Sequence, residues 1–161
     1  MNIEIERKFL VSVIPFDDVY FSETITQGYL TISKKKTIRV RLCEVGNFKK
    51  GFITIKGKSK GIARKEYEYE IPATDANELL NKMCKNIVVK TRHLVEYKDH
   101  IWEIDQFFGD NTGLIVAEVE LQAEDEEVLL PPWVTKEVSD DPRYYNSNLS
   151  TKPYTTWKET V

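Results

Sequence analysis

A period of two, repeated along most of the chain, is the feature that most limits how it can fold. Polar and apolar residues alternate in eight segments, at about 3–10, 24–32, 37–45, 51–58, 63–71, 87–97, 100–107 and 114–121. Side chains two apart on a strand share a face, so the spacing predicts eight strands, each with one polar and one apolar side. Short connections such as Tyr97-Lys98-Asp99-His100 predict antiparallel hairpins, because a parallel crossover needs roughly a dozen residues or more. Between the fifth and sixth segments the period changes. Ala76, Leu79, Leu80, Met83 and Cys84 fall at helical spacing behind Thr74, which predicts an amphipathic helix with Thr74 as its N-cap. Shorter helical turns are expected after Pro15, around Asp125 to Leu129 and after Pro142.

The charges keep to one parity within each strand. The first strand sets Glu4, Glu6 and Lys8 against Ile3, Ile5 and Phe9, with Arg7 as its one misplaced charge. The third sets Arg39 and Arg41 against Ile38, Val40 and Leu42, and the fourth sets Lys56 against Ile53 and Ile55. The fifth carries Arg64, Glu66, Glu68 and Glu70, and the sixth Lys90 and Arg92. The seventh carries Glu103 and Asp105, and the eighth Glu118 and Glu120. An antiparallel sheet with one wet face would account for any single strand. Across the strands, however, the signs separate: the third, fourth and sixth are basic, the seventh and eighth acidic, the first and fifth mainly acidic. Surface pairing would mix signs between neighbours. Segregation suits a closed barrel with a cationic wall for a polyanion and an anionic wall for metal ions, since so charged an interior is costly until ligand, metal and water complete it.

Phosphate is the expected anion, because arginines fork onto its oxygens and lysines add point charges. The carboxylates favour Mg²⁺ or Mn²⁺ over Zn²⁺, as hard oxygen ligands with no suitably spaced His or Cys beside them. Such a cation could neutralise charge developing on phosphate oxygens and activate water for in-line attack on a terminal phosphorus.

Composition narrows the alternatives. With 161 residues and 41% hydrophobic content the chain is expected to be one domain, residues 1–161, with a sizeable core. The net charge of −3 argues against a general nucleic-acid or anionic-membrane surface. Cys43 and Cys84 have no metal or disulfide spacing, so they are read as free thiols of a reducing cytoplasm. No signal peptide or membrane-spanning run is expected. Gly51-Phe-Ile-Thr-Ile-Lys-Gly57-Lys58-Ser59 imitates a P-loop but places five residues between its glycines, where the motif needs about four and a following helix; a hairpin turn is expected instead. His93 and His100 are taken as ordinary strand-end residues, the acidic run from Glu124 as a helix N-terminus, and Trp102, Trp133 and Trp157 as packing residues.

The Glu4-Ile-Glu6-Arg-Lys8 opening resembles the E-x-E-x-K hallmark of the CYTH superfamily, also called triphosphate tunnel metalloenzymes. The likeness continues through Gln27-Gly-Tyr-Leu30, Arg39-Val-Arg41, Thr54-Ile-Lys56-Gly57, Arg64-Lys-Glu66-Tyr-Glu68, Lys90-Thr-Arg92, Trp102-Glu-Ile-Asp105, Ala117-Glu118-Val-Glu120 and Glu137-Val-Ser-Asp140. The short bacterial members that act on inorganic triphosphate are the most similar. The resemblance implies a mainly β fold, an eight-stranded antiparallel barrel forming a tunnel with helices packed outside, that hydrolyses the terminal phosphoanhydride of a triphosphate. It implies that Lys8, Arg39, Arg41, Lys56, Arg64, Lys90 and Arg92 bind the triphosphate. Glu4, Glu6, Glu118 and Glu120 would be metal ligands for one or two Mg²⁺ or Mn²⁺ ions, while Lys8, Glu66, Glu68 and Asp105 would serve catalysis, the acids by supporting a second metal, orienting water or holding the basic wall. Asp141-Pro-Arg143-Tyr144-Tyr145-Asn146 resembles a segment that closes one tunnel mouth, with Pro142 and Ser139 departing from the usual residues. Relatives also include adenylate cyclases and thiamine and RNA triphosphatases, so cyclisation, hydrolysis of an organic triphosphate, and non-catalytic polyphosphate binding remain alternatives. The expected partner is a small triphosphate, with no nucleic acid and no membrane; a homodimer is left open.

Overall fold

The computed structural model of the chain describes residues 2–157. The alternating segments become β1 (Ile3–Val11), β2 (Val19–Ile32), β3 (Lys36–Val45), β4 (Phe48–Gly57), β5 (Ala63–Ile71), β6 (Lys85–Tyr97), β7 (His100–Phe107) and β8 (Ile115–Glu120). They hydrogen-bond in the order β5-β4-β3-β2-β6-β7-β8-β1, all antiparallel, and β1 closes the ring onto β5. The expected eight-stranded barrel is therefore present. Two tight hairpins show how local sequence sets its register. The β3–β4 turn begins with Gly46 at φ +57°, and the β6–β7 turn places Lys98 and Asp99 at φ +47° and +68°, the positive angles that match the twist of paired strands.

Closure is narrow. Ile3, Glu4 and Ile5 align with Lys65, Arg64 and Ala63 of β5, and Glu66 N–Asn2 O at 2.9 Å and Glu6 N–Ile62 O at 3.3 Å extend the contact on either side. Further along the same edge of β1, a short ninth strand, β9 (Val134–Glu137), takes over, pairing Phe9 with Glu137 and Val11 with Val134 across a register shift. The sequence pattern did not indicate β9, because Val-Thr-Lys-Glu is too short to display alternation. Arg7, the charge of the wrong parity, belongs to this outer arrangement: its guanidinium reaches Glu137 at 2.7 Å and lies 5.0 Å from the Phe9 ring centroid.

The apolar core lies mainly outside the barrel wall. Phe9, Trp102, Ile104, Ala117 and Val119 pack under Trp133, with Trp102 edge-on to Trp133 at 5.5 Å. Helix α1 (Ala73–Lys82) covers another part of the wall, burying Ala76 and Leu80 against Val40 and Leu42. A third cluster lies at one end of the interior. Val88, Phe107 and Val116 share parity with Lys90, Asp105 and Glu118, so the inward row turns from charged to apolar there. Val138, Tyr144 and Leu149 of the C-terminal segment pack onto it, and that segment includes the short helix α2 (Asn146–Thr151). Trp157 stacks edge-on against Tyr144 at 5.2 Å, so all three tryptophans pack as expected.

Several local expectations need correction. Helix α1 starts at Ala73 with Pro72 as its N-cap and no side-chain cap, so Thr74 lies inside its first turn; Pro72 carries the chain straight from β5 into the helix and its carbonyl accepts from Ala76 N at 3.0 Å. The helix ends before Met83, which is 66% exposed. No helix forms around Asp125 to Leu129, and the acidic run from Glu124 is not a helix N-terminus. Glu126 instead folds back to accept from Gln122 N at 2.6 Å and to meet His100, and the Pro131-Pro132 pair disfavours helical backbone just before it. His93 is not at a strand end: it is buried within β6 between Ser22, at 2.7 Å, and Gln106, at 3.1 Å. The expected turns after Pro15 and Pro142 do form, as 3-10 turns at Phe16–Asp18 and Pro142–Tyr144. Among the described residues, no helix is long and apolar enough to cross a membrane, and Cys43 and Cys84 are unpaired.

Gly51 lets α1 sit this close to β4: a Cβ there would lie 2.7 Å from the Ala76 Cβ and 3.0 Å from the Ile71 carbonyl oxygen. Gly51→Ala should therefore lower stability by about 1–3 kcal/mol, measured from the midpoint of urea unfolding. Gly57→Ala, whose Cβ would meet nothing nearer than 3.6 Å, should be neutral or mildly stabilising.

Candidate active site in the barrel lumen

The barrel encloses a cavity of about 230 Å³ whose wall is built from the one-parity charges. Of the expected phosphate-binding residues, Lys8, Arg39, Arg41, Lys56, Arg64 and Arg92 line it. Glu4, Glu6, Glu118 and Glu120, expected as metal ligands, line it too, as do Glu66 and Glu68. Lys90 and Asp105 do not. They are buried in the wall, at 0% and 1% exposure, with Lys90 Nζ 2.7 Å from Asp105 Oδ2. Asp105 also takes a two-pronged contact from Arg92, at 2.8 Å to Nε and 3.0 Å to Nη2, and Glu103 joins Arg92 at 3.1 Å. Burial pushes the Asp105 carboxyl up, but Arg92 and Lys90 outweigh it and hold the group at about 2. Asp105 thus fixes two cations in place.

Three arginines at the lumen, Arg39, Arg41 and Arg64, are short of anionic partners. Arg41 directs Nε and Nη2 at the Gln27 carboxamide oxygen, at 3.0 and 2.9 Å, and Arg64 directs Nε and Nη2 at the Gly57 carbonyl, at 3.1 and 3.0 Å. Among the described residues neither makes an ion pair. Arg39 bonds Thr54 at 3.1 Å, its nearest carboxylate contact is 3.8 Å to Glu68, and its buried Nε has no partner. Burial, then Arg39 and Arg92, pull the Arg41 guanidinium down to about 10, the mark of a cation crowded by other cations. These arginines can supply donors to an anion without first breaking a strong contact.

The acidic wall shows the opposite imbalance. Glu6 faces Glu120, and Lys8 faces Glu118, across the β1–β8 pairing. Burial, then the charges of Glu118 and Glu4, push the Glu6 carboxyl well above the usual range. Burial would also raise Glu118, but Lys8, a hydrogen bond from Glu6, Arg92 and Lys90 hold it well below. Beside Lys56, whose Nζ is 2.9 Å from Glu4 and 3.4 Å from Glu66, burial and Glu4 push Glu66 up to about 7, while Glu4 is held below the usual range. Carboxyls crowded in this way are a donor set suited to a hard divalent cation. Among the described residues, no three His, Cys, Asp or Glu side chains are spaced to hold an ion by themselves. A hard divalent cation held here would need one or two of these carboxylates together with oxygens from a ligand.

Charge patterning put Glu103 on the inward face without giving it a role, and it lines the cavity beside Arg92. Uncharged groups at the site were overlooked. Tyr145, Asn146 and Ser147 bring the C-terminal segment to the cavity, and Lys8 Nζ donates to the Tyr144 carbonyl at 3.1 Å. Gln27 is fully buried and holds Arg41; being uncharged, it gives no signal in a pattern read by sign. A second cavity of about 570 Å³, lined by Phe21, Phe48 and Phe52, shares Arg41 and Glu68 with the first.

Known proteins are similar to this chain in sequence and fold. The chain is 43% identical over 160 residues to an inorganic triphosphatase of Acetivibrio thermocellus, across 99% of this chain and 100% of that protein. It is 36% identical over 150 residues to an inorganic triphosphatase of Nitrosomonas europaea, across 91% and 96% of the two. The crystal structure of the inorganic triphosphatase NE1496 superposes with a TM-score of 0.66 at 33% identity, covering 91% of this chain and 93% of that one. The sequence model of the CYTH domain matches residues 2–147, and the chain belongs to the CYTH domain family.

Proposed function

We propose that the protein hydrolyses inorganic triphosphate with a divalent cation, Mg²⁺ or Mn²⁺, releasing phosphate and pyrophosphate. The observation that carries this reading is the double imbalance of one small lumen. Arg39, Arg41 and Arg64 face it with neutral or distant partners, and Glu4, Glu6, Glu66, Glu118 and Glu120 crowd it with only Lys8 and Lys56 among them. A triphosphate with its cation balances both walls at once. Curated relatives of nearly full length carry the same activity.

In this reading Arg39, Arg41, Arg64 and Arg92 hold the phosphate oxygens, with Lys8 and Lys56 adding charge from the acidic side. One or two at a time of Glu4, Glu6, Glu118 and Glu120 would hold a cation together with phosphate oxygens, and its chemistry there would be to neutralise charge developing on them. Glu66 and Glu68 face the lumen and orient the water that attacks the terminal phosphorus. The bridging P–O bond breaks, and pyrophosphate leaves with its electrons. Lys90 and Asp105 act from behind the wall: Asp105 fixes the Arg92 fork rather than touching substrate. A cytoplasmic location fits two unpaired cysteines and a substrate of this kind. The Phe21, Phe48 and Phe52 cavity favours one second reading, an organic triphosphate such as a nucleoside triphosphate.

Phosphate release from inorganic triphosphate, ATP and thiamine triphosphate, with a parallel cyclic-AMP assay, tests the substrate. Inorganic triphosphate should turn over fastest, chelation should abolish release, and rapid conversion of ATP to cyclic AMP would sink the assignment. Glu6→Gln should lower turnover by orders of magnitude at saturating metal and leave the melting temperature without metal close to wild type, because a carboxyl already pushed up toward its neutral form carries little charge to remove. Arg41→Ala should raise KM about tenfold or more, the loss of charge-assisted hydrogen bonds of ~1.5–3 kcal/mol. Asp105→Asn should cost about 3–5 kcal/mol of stability, since it strips the anion from two buried cations; a melting temperature equal to wild type would contradict the role assigned to it.

A further inference from the structure

The direction of each amide in one buried hydrogen-bond chain follows from its Arg41 end, because a guanidinium can only donate. Arg41 Nε and Nη2 both point at Gln27 Oε1, at 3.0 and 2.9 Å. The other end of that carboxamide, Nε2, must then donate, and it reaches Asn146 Oδ1 at 3.2 Å. Lys90 Nζ donates to the same oxygen at 3.0 Å. With Oδ1 fixed by two donors, the Asn146 Nδ2 faces the other way. Asn146 itself lines the lumen, next to Tyr145 and Ser147, and among the described residues no acceptor takes Nδ2. Gln27 is 0% exposed, so water does not compete for the middle of the chain.

We propose that Asn146 is a further phosphate-binding residue, donating from Nδ2 to a non-bridging oxygen of the triphosphate, and that Gln27 is the positioning residue that orients both this amide and the Arg41 fork. The inference rests on the triphosphatase reading of the lumen. A neutral donor has a specific value at this place. Arg39, Arg41 and Arg92 already crowd one another, and a further cation would add repulsion whenever the substrate is absent, whereas a carboxamide adds a hydrogen bond without adding charge. The competing role for Asn146 is a plain tie between the C-terminal segment and the wall, and substitution separates the two. Asn146→Asp keeps an acceptor for Gln27 and Lys90, so it preserves the tie, but it replaces the donor with an oxygen that repels phosphate.

Steady-state kinetics on inorganic triphosphate, with melting temperatures alongside, decide the matter. Wild-type turnover comes first: without it the triphosphatase reading fails, and this inference with it. Given active wild type, Asn146→Ala should raise KM about tenfold with kcat within about threefold. Asn146→Asp should raise KM about a hundredfold while melting no lower than wild type. An Asn146→Asp variant with wild-type KM would leave Asn146 a tie only and overturn the proposal, with the triphosphatase reading intact. In Gln27→Glu the donor to Asn146 Oδ1 becomes an acceptor that competes with phosphate for Nδ2, with Lys90 left as the one donor to Oδ1, so adding Asn146→Ala to that background should raise KM by about threefold or less. A full tenfold loss in both backgrounds would overturn the positioning role of Gln27.

Discussion

Repulsion between like charges inside a closed barrel is the constraint on which the rest of this structure depends. Cations gather on β3, β4 and β6, and anions on β1 and β8. Such a lumen contributes little to holding the protein together, so stability must come from elsewhere. It comes from outside the wall, where Trp102, Ile104 and Ala117 are wholly buried under Trp133 and α1 seals Val40. The usual arrangement of a small barrel, with apolar residues inside, is inverted over much of its length. Where cations and anions do meet, as in the Lys90–Asp105–Arg92 group at 2.7 and 2.8 Å, they form a fixed buttress behind the working surface.

A second consequence concerns how ligands bind. Burial and neighbouring charge push Glu6 and Glu66 up, while Glu118 and Glu4 are held down, and among the described residues no trio of such side chains is spaced to grip an ion alone. Under the proposed function a cation would therefore draw much of its coordination from phosphate oxygens and would give the phosphate the neutralisation that the acidic wall denies it. Each would bind more tightly in the presence of the other, by the same factor, because their coupling is a single free energy. A lumen of about 230 Å³ brings the two into the contact that this coupling requires.

The legible part of the site was the part written in charge. Parity on a strand assigns Glu4, Glu6, Arg39, Arg41, Glu118 and Glu120 to one face without any knowledge of the fold, and all of them line the cavity. Parity alone does not give depth. Lys90 and Asp105 share the inward face but are buried in the wall, because their own short contact and the Arg92 fork hold them there. Groups without charge were harder still to see: Gln27 sits on the one barrel strand whose inward face is largely uncharged, and Asn146 lies in a segment with no period at all. β9 escaped for a related reason, since a four-residue strand carries too few positions to establish alternation. The misread helix around Asp125 shows the same limit from the other side. An acidic run suits a helix dipole, but Glu126 found Gln122 N and His100 instead, a tertiary choice that local pattern cannot contain.

The C-terminal segment completes the lumen in a way that neither the strands nor the charges could. At one end the inward faces of β6, β7 and β8 become apolar at Val88, Phe107 and Val116, and Val138, Tyr144 and Leu149 bury that surface. An open apolar end would expose this surface to water; packed, it lowers the local dielectric beside Lys8 and Lys90. The Tyr144 carbonyl and the Asn146 carboxamide then meet those ammonium groups at 3.1 and 3.0 Å, so the same segment that removes water supplies the polar atoms that water would have provided. Charges held by fixed dipoles in a poorly hydrated site act more strongly on a phosphate than solvated ones, and need no reorganisation when charge moves onto the leaving pyrophosphate. The apolar plug and the charged wall thus work as one device, in which the dryness made by the first gives the second its strength.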